Sequence, residues 1–190
     1  MEHATVEERE LVARAREGDV DAFAEIVRRY EVRVRSVLVR LLDDHRDVEE
    51  ATQDTFVQAW RNLDGFRGDA GVFTWLYRIA VNEALMRLRR KRLPVTELDE
   101  GLEAAPATAA YDPAAAAEGA DLRAFLSAQI RALPWEYRAP LVLRDVVGLS
   151  NHEVAHVLEL SVPAAKSRIH RARMHVREQL DRWEQRRPGD

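Results

Sequence analysis

The chain has 190 residues, 46% of them hydrophobic and 33% charged, which is enough apolar material for one medium domain or two small ones. It has no cysteine, which excludes disulfides and thiolate metal sites and favours a reducing compartment. The charged N-terminus lacks an apolar signal core, and no apolar run approaches the roughly 20 residues of a transmembrane helix. We therefore expect a cytoplasmic protein that is not inserted in a membrane.

The net charge of −4 hides a strong segregation of charge along the chain. Residues 83–92 carry five basic residues and one acidic residue, and residues 162–187 carry eight basic and three acidic residues. Residues 93–121, between them, carry seven acidic residues and no basic ones. Two basic regions can bind a polyanion although the total charge is negative.

The first part of the chain has the apolar spacing of helices. From Phe23 to Leu41, apolar residues recur every three or four positions, after a start signal at Gly18 and Asp19. We predict a second helix from about Asp47. A third helix is predicted from Val72 to about Arg92, after a loop of sequence DGFRGDAG.

Residues 93–121 are rich in Ala, Pro and acid and lack a sustained apolar period, so we predict a mobile linker there. It separates an N-terminal domain at 1–92 from a C-terminal domain at 122–190. In the second domain, helices are predicted at 122–132, 135–146, 151–158 and 162–183. The predicted fold class is all-α: two small helical domains, joined by a flexible acidic linker, the second containing a helix-turn-helix.

The last two predicted helices form this helix-turn-helix, because only a short turn separates them. Ser150 and Glu153 have the spacing of a capping box at the start of the first helix. Ser161 can cap the second helix, and Pro163 lies in its first turn, where a missing N–H costs little.

The second of these helices has two different faces. At about 100° per residue, its apolar residues from Ala165 to Trp183 fall on one side, while Ser167, His170 and Arg171 point away. Such a helix can read base edges in the major groove while flanking Lys and Arg contact phosphates. The alternative is a solvated basic face on an ordinary helix, but the caps and the tight turn favour the DNA-binding interpretation.

A competing motif lies in the first of these helices. The run His152-Glu153-Val154-Ala155-His156 matches the H-E-x-x-H pattern of zinc proteases. However, Glu153 already has a role as the capping partner of Ser150, the helix is short, and no third ligand follows. We therefore expect no metal, no cofactor and no enzymatic activity.

The third helix of the N-terminal domain carries a polar stripe opposite its apolar face, formed by Trp75, Arg78, Asn82 and Arg89. With aromatic and basic residues of the preceding loop, it combines rings for base stacking with cations for the backbone, as single-stranded DNA requires. The alternative is that Trp75 and Tyr77 are core residues.

The second helix of the N-terminal domain differs, since acidic residues crowd its start. They favour the helix dipole but repel phosphate, so this face is expected to contact a protein.

Five runs of sequence together resemble the extracytoplasmic-function sigma factors, and the sigma-E-like branch in particular. They are DAFAEIVRRY, DVEEATQDTFVQAW, FRGDAGVFTWLYRIAVNEA, LRDVVGLSNHEVAHVL and KSRIHRAR, in the family's order and spacing. The resemblance implies a subunit that binds core RNA polymerase, through its largest-subunit clamp helices and its flap, and directs initiation at promoter DNA. It also implies a stress-response role, and an anti-sigma factor as a separate regulatory partner.

The resemblance assigns roles to three sets of residues. The minus-ten element, read as a melted strand with one base flipped out, would be bound by Phe66, Arg67, Asp69, Ala70, Trp75, Tyr77, Arg78 and Asn82. The minus-thirty-five element, read as duplex, would be read by Lys166, Ser167, His170 and Arg171, with Arg144, Asn151, Arg168 and Arg173 on or near phosphates. The polymerase would be bound by Asp47, Glu50, Gln53, Asp54, Gln58 and Trp60.

The sequence departs from the family in its helix-turn-helix, where Glu159-Leu160 replaces a frequent Gly and Ala164-Ala165 replaces a frequent Gly-Thr. A further hypothesis is that the acidic linker mimics RNA in the polymerase.

The main alternative to a sigma factor is a self-standing helix-turn-helix regulator that binds duplex DNA as a dimer. Such a regulator would need neither the acidic helix nor the face suited to single-stranded DNA.

Overall fold

A computed structural model describes residues 5–68, 70–92 and 116–186, and the side chains of 5–68, 70–91 and 121–185. Every regular element in these ranges is helical, which confirms the all-α prediction. The helices are α1 (Val6–Arg16), α2 (Val20–Leu41), α3 (His45–Arg61), α4 (Val72–Arg92), α5 (Ala116–Ala132), α6 (Trp135–Leu141), α7 (Asn151–Val157) and α8 (Val162–Arg186). A short 3-10 turn, Leu63–Gly65, follows α3, and α6 continues as a π-helix, Val142–Val146. Within these ranges, none of the helices has the length and apolar character that a membrane span needs.

Helices α2, α3 and α4 pack on one another around an apolar core. Helix α2 is capped by Asp19, whose carboxylate accepts a hydrogen bond from the Ala22 amide at 3.0 Å. Its three- and four-residue apolar spacing buries one face, including Val34 and Leu38. Helix α4 has the predicted bounds and buries Leu76 in the same core.

Helix α1 is not among the helices predicted from the sequence. It begins in a capping box, in which the Glu8 amide donates to Thr5 Oγ1 at 3.2 Å and the Thr5 amide donates to the Glu8 carboxylate at 2.7 Å. Its apolar face is narrow, because only Leu11, Val12 and Ala15 are buried. Charge on every other side hides this short stripe from a search for periodicity, although the Thr-x-x-Glu spacing signals the helix start.

Two predicted helices of the C-terminal half have different bounds in the structure. Helix α5 begins at Ala116 rather than Leu122, so residues 116–121 of the predicted linker are helical. Residues 93–115 of that linker lie outside the described residues. The helix predicted at 135–146 changes to a π-helix after Leu141, just beyond Pro140, which has no N–H to donate.

The two halves of the described chain share a continuous apolar core. Helix α2 contacts α5, α6 and the π-helix, and α4 contacts α7. A polar link lies at the C-terminal end of α2, where Arg138 Nη1 donates to the Leu41 carbonyl at 3.0 Å and lies 3.5 Å from the Asp43 carboxylate. The same guanidinium donates to the carbonyls of Leu133, at 3.1 Å, and Arg131, in the last turns of the α5 segment.

Candidate nucleic-acid and polymerase surfaces

The first helix of the helix-turn-helix begins as the sequence predicts. In its capping box, the Glu153 amide donates to Ser150 Oγ at 3.2 Å, and the Ser150 amide donates to the Glu153 carboxylate at 2.8 Å. Glu153 is buried in this role, whereas His152 and His156 are exposed. Among the side chains described, no cluster of His, Asp or Glu could hold a metal ion.

The turn between α7 and α8 is tight because Glu159 has a left-handed backbone, with φ of 53°. The Leu160 amide donates to the Ala155 carbonyl at 2.8 Å, which is the long hydrogen bond of a Schellman motif. A left-handed position of this kind favours glycine, because the Cβ of any other residue is strained there. Glu159 thus has a left-handed backbone at a place where the family frequently has Gly. Helix α8 is capped by Ser161, whose Oγ accepts from the Ala164 amide at 3.3 Å.

The two predicted faces of α8 are present in the structure. Ala165, Ile169 and Ala172 are buried. On the other side, the residues predicted to read bases, Ser167, His170 and Arg171, are exposed, as is Lys166, while Arg168 is half-buried. The helix-turn-helix therefore presents one helix with its polar side accessible over several turns.

Two residues predicted to contact phosphates are held within the helix-turn-helix. Arg173 donates twice to the Asp145 carboxylate, at 2.8 and 2.5 Å, and this hydrogen bonding raises the pKa of Arg173. Arg144 Nη1 donates to the Leu149 carbonyl at 2.6 Å, which braces the turn before α7. Another residue of this set, Asn151, is the first residue of α7 and is half-buried.

The loop before α4 is built on an aromatic pair. Phe66 is buried, and its ring lies 5.4 Å from the ring of Trp75, which is half-buried. Ala70 is also buried, whereas Arg67 is exposed. Asp69 lies outside the described residues. The loop thus holds its apolar residues inward and offers at least one cation to the surface.

Along α4, the predicted strand-binding residues have different environments. Tyr77 is 2% exposed and packs edge-on against Phe73, with ring centroids 5.8 Å apart. Burial raises the pKa of Tyr77, so it stays a neutral phenol. Arg78 is paired with Glu159 of the α7–α8 turn at 2.5 Å. Asn82 is exposed on the outer side of the helix.

The residues predicted to bind polymerase lie on α3, and several of its acids have partners inside the chain. Lys91 Nζ lies 2.6 Å from Asp47 and 3.4 Å from Asp44. Arg87 pairs with Asp54 as well as with Glu83, on its own helix. The basic C-terminal end of α4 therefore neutralises part of the acidic helix, a pairing that sequence reasoning did not predict.

The remaining polymerase candidates are accessible. Glu50 and Gln53 are exposed, and Gln58 is half-buried beside Asn62. Trp60 is 37% exposed and lies edge-on against Phe23, with ring centroids 4.9 Å apart. This surface of α3 thus combines polar groups, acids and one accessible indole.

Sequence reasoning also missed contacts between α1 and the loop before α4. The Arg16 guanidinium donates to the Leu63 carbonyl from Nε at 3.1 Å and from Nη2 at 3.0 Å, and Nη2 donates to the Phe66 carbonyl as well. The capping-box spacing could have revealed α1. No sequence signal, however, connects Arg16 to a carbonyl 47 positions away.

Comparison with known proteins identifies the family to which this architecture belongs. The family profile for Sigma-70 region 2 matches residues 26–93, and that for Sigma-70, region 4, matches residues 126–176. The chain is 37% identical over 170 residues to the ECF RNA polymerase sigma-E factor of Escherichia coli (strain K12), covering 86% of this chain and 88% of the relative. It is 35% identical over 174 residues to the RNA polymerase sigma-H factor of Pseudomonas aeruginosa, covering 88% of this chain and 90% of the relative.

Two solved structures share this fold. CnrH, in complex with the cytosolic domain of CnrY, has a TM-score of 0.68 and 31% identity, covering 92% of this chain and 97% of that chain. The sigma factor RpoE of Bartonella quintana, in complex with the anti-sigma factor NepR, has a TM-score of 0.66 and 21% identity over 85% of this chain and 98% of that chain, a likeness of fold alone.

The helix-turn-helix and the two matched regions define the class as a sigma-70-type transcription initiation factor. Within that class, the chain belongs to the extracytoplasmic-function (ECF) sigma factors, which confirms the resemblance seen in its motifs. It directs promoter-specific transcription, and its relatives are sigma factors, which are not enzymes.

Proposed function

We propose that this sigma factor reads the upstream promoter element as duplex through α8 and the start-proximal element as a melted strand through the loop before α4. In this proposal, the domain at 1–92 binds core polymerase and opens the promoter, and the domain at 122–190 binds the minus-thirty-five element. The segment from 93 to 121 connects the two.

The observation that carries the proposal is the exposed polar side of α8. Ser167, His170 and Arg171 share that side, and Ala165 and Ile169 anchor the opposite side in the core. A helix held so firmly can enter the major groove with its base-reading residues in fixed positions. Arg can make a bidentate contact with guanine, which supplies specificity, and Ser can hydrogen-bond to more than one kind of base.

The proposed capture of a melted base rests on the loop from Phe66 to Ala70. The half-buried Trp75, packed on the buried Phe66, supplies an aromatic ring. Arg67 supplies an accessible cation, and Asn82 an accessible amide with both donors and acceptors. Stacking and hydrogen bonding of this kind can offset the few kcal/mol that unstacking a base costs. Tyr77 is buried and packs against Phe73, so we do not propose that it meets the base directly.

The proposed polymerase surface is the outer face of α3. Trp60 is large, partly accessible and supported by Phe23, which suits it to anchor a protein contact. Glu50 and Gln53 are exposed and can form the polar rim around it. An anti-sigma factor is proposed as a further partner, since CnrH is bound to the cytosolic domain of CnrY.

Run-off transcription with core polymerase tests the proposed function. Adding this protein should give transcripts from a subset of promoters, and substitutions in the upstream element should reduce them when that element is duplex. A template already melted across its start-proximal element should retain its base preference on the non-template strand. Tight binding to duplex DNA without polymerase, and no promoter-dependent transcript, would favour an independent regulator instead.

A further inference from the structure

We propose that Arg16, on α1, is a positioning residue that sets the base preference of the loop that contains Phe66, Arg67 and Gly68. The inference rests on the proposed function, because it concerns how that loop holds a melted base. Helix α1 thereby becomes part of the promoter-reading machinery, although it precedes the matched region at 26–93.

The contact between Arg16 and the loop involves two backbone carbonyls. Nε and Nη2 both donate to the Leu63 carbonyl, at 3.1 and 3.0 Å, and Nη2 also donates to the Phe66 carbonyl. The Leu63 carbonyl accepts the Phe66 amide too, at 3.1 Å, closing the 3-10 turn. Because a guanidinium is planar and its donors have a fixed geometry, one side chain fixes both ends of this turn.

Helix α1 is itself held firmly against α2. Its three buried apolar residues, Leu11, Val12 and Ala15, pack in the core. Polar contacts add to this packing: Arg29 pairs with Glu7 at 2.5 Å, and Tyr30 donates to the Glu8 carboxylate. The Arg16 backbone is therefore a fixed point from which the loop can be positioned.

The exposed part of the loop starts where this contact ends. Phe66 is held on Trp75, and Arg67 and Gly68 follow it. Gly68 has a φ of +77°, and a Cβ at that position would lie 4.0 Å from Arg9 Nε, so a second arginine of α1 borders the loop. Helix α1 thus lies along one side of the backbone that would surround the captured base.

The position of this backbone controls which base fits. Hydrogen bonds to a flipped base form only when the protein groups lie within a few tenths of an ångström of their ideal positions. In enzymes, displacement of a site by about 1 Å can lower its rate about a hundredfold. Removing Arg16 would let the 3-10 turn relax without touching any group that meets DNA. Base selection would then weaken while duplex recognition by α8, on the other half of the chain, would persist.

The test measures base preference, which a purely structural role would not change. A promoter selected by the wild-type holoenzyme is randomised in its start-proximal element, and each sequence is linked to a barcode in the transcribed region. Counting the barcodes in the transcripts gives the base preference. The variants are Arg16→Gln and Arg16→Lys. Arg14→Gln is the matched control, because Arg14 lies on the same helix but pairs with Asp19 at 2.7 Å instead of with the loop.

We expect Arg16→Gln to lower the preference for the best base over the worst by about tenfold at the captured position, which corresponds to about 1.4 kcal/mol. Preferences in the upstream element and the affinity for core polymerase should match those of Arg14→Gln. Lys can reach one carbonyl but lacks the planar set of donors that binds both, so Arg16→Lys should lower the base preference about threefold.

Four results would overturn the inference. One is an unchanged start-proximal preference in Arg16→Gln, and another is an equal loss in Arg14→Gln. If Arg16→Gln does not fold, Arg16→Lys decides, and a wild-type preference in that variant would exclude the positioning role. A wild-type holoenzyme that shows upstream preference but none in the start-proximal element would overturn the proposed function as well, which distinguishes the two failures.

Discussion

Arg171 illustrates how one side chain on α8 can carry sequence information. It is exposed on the same side as Ser167 and His170, and the buried Ile169 and Ala172 fix the helix beneath it. An arginine so placed can make two parallel hydrogen bonds to a guanine edge, a geometry that lysine cannot reproduce.

Replacing Arg171 with Ala should weaken binding of the preferred upstream element by about 1–3 kcal/mol and relax the preference at one base pair. The matched control is Arg177→Ala, on the same helix and also exposed, which should lower affinity for all sequences alike. Holoenzyme binding to a set of single-substituted promoters measures both effects. An unchanged preference in Arg171→Ala would contradict its base-reading role.

Some residues of the site follow from sequence and others do not, for a physical reason. The capping box of Ser150 and Glu153 and the two faces of α8 depend on spacings of three or four residues, so local patterns predict them. Arg16 reaches a carbonyl 47 positions away and Arg138 reaches one 97 positions away, and such pairings depend on how the helices pack. The same limit applies to Tyr77. Its position in the sequence of α4 was compatible with DNA binding or with the core, and the structure buries it.

At the scale of elements, the α7–α8 turn keeps its geometry despite an unfavourable residue. Glu159 has a left-handed backbone, and its ion pair with Arg78 is exposed, with side chains 67% and 42% accessible. An exposed pair of this kind contributes only about 0–1 kcal/mol. The Schellman hydrogen bonds and the packing of α7 against α8 therefore hold the turn.

Replacing Glu159 with Gly or with Ala removes the ion pair in both variants, but only Ala keeps a strained Cβ. We expect Glu159→Gly to be more stable than Glu159→Ala by about 1 kcal/mol, because left-handed backbone costs about 1–2 kcal/mol per non-glycine residue. Urea unfolding of the full chain measures the difference. Equal stabilities would show that the turn relaxes around Ala.

The start of α3 gives a pH-dependent contribution to stability. Asp44 caps this helix, accepting the Arg46 amide at 2.8 Å, and this hydrogen bond together with Lys91 lowers the pKa of Asp44 below its ordinary value of 3.8. A carboxyl whose pKa is lowered by folding stabilises the fold above its unfolded pKa, and this stabilisation is lost as pH falls through the folded value.

We therefore expect Asp44→Asn to flatten the loss of stability as the pH falls from about 5 to about 3, since Asn can cap a helix without titrating. Thermal unfolding over this range measures the slope. The control is Asp64→Asn, an exposed acid in the 3-10 turn. An identical slope in wild type and Asp44→Asn would exclude the contribution.

At the scale of the whole molecule, the two halves are joined by α2, which contacts helices from both. Arg138 is central to this junction because its side chain is only 11% exposed and donates to carbonyls at the ends of α2 and α5. Carbonyls in the last turn of a helix lack intrahelical donors, so the guanidinium supplies hydrogen bonds to part-buried groups at these helix ends.

Replacing Arg138 with Met should destabilise the chain by about 2–4 kcal/mol, because buried carbonyls lose a charged donor. The exposed Arg177→Met should change stability by about 0.5 kcal/mol or less. Chemical unfolding of the full chain compares them. A loss below about 1 kcal/mol for Arg138→Met would mean that apolar packing alone joins the halves.

The pairing of the acids on α3 with Lys91 and Arg87 bears on how fast this protein finds its polymerase. Opposite charges a few ångströms apart cancel at distance, and salt screens what remains beyond a Debye length of about 10 Å at 0.1 M. Long-range attraction should then contribute little to the encounter with core polymerase. The association rate, measured by stopped-flow fluorescence, should vary less than about tenfold between low and physiological ionic strength, the lower end of the range for electrostatic steering. Lys91→Gln should make the association rate depend more steeply on ionic strength. A steep dependence in the wild type would show that the acids act over long range.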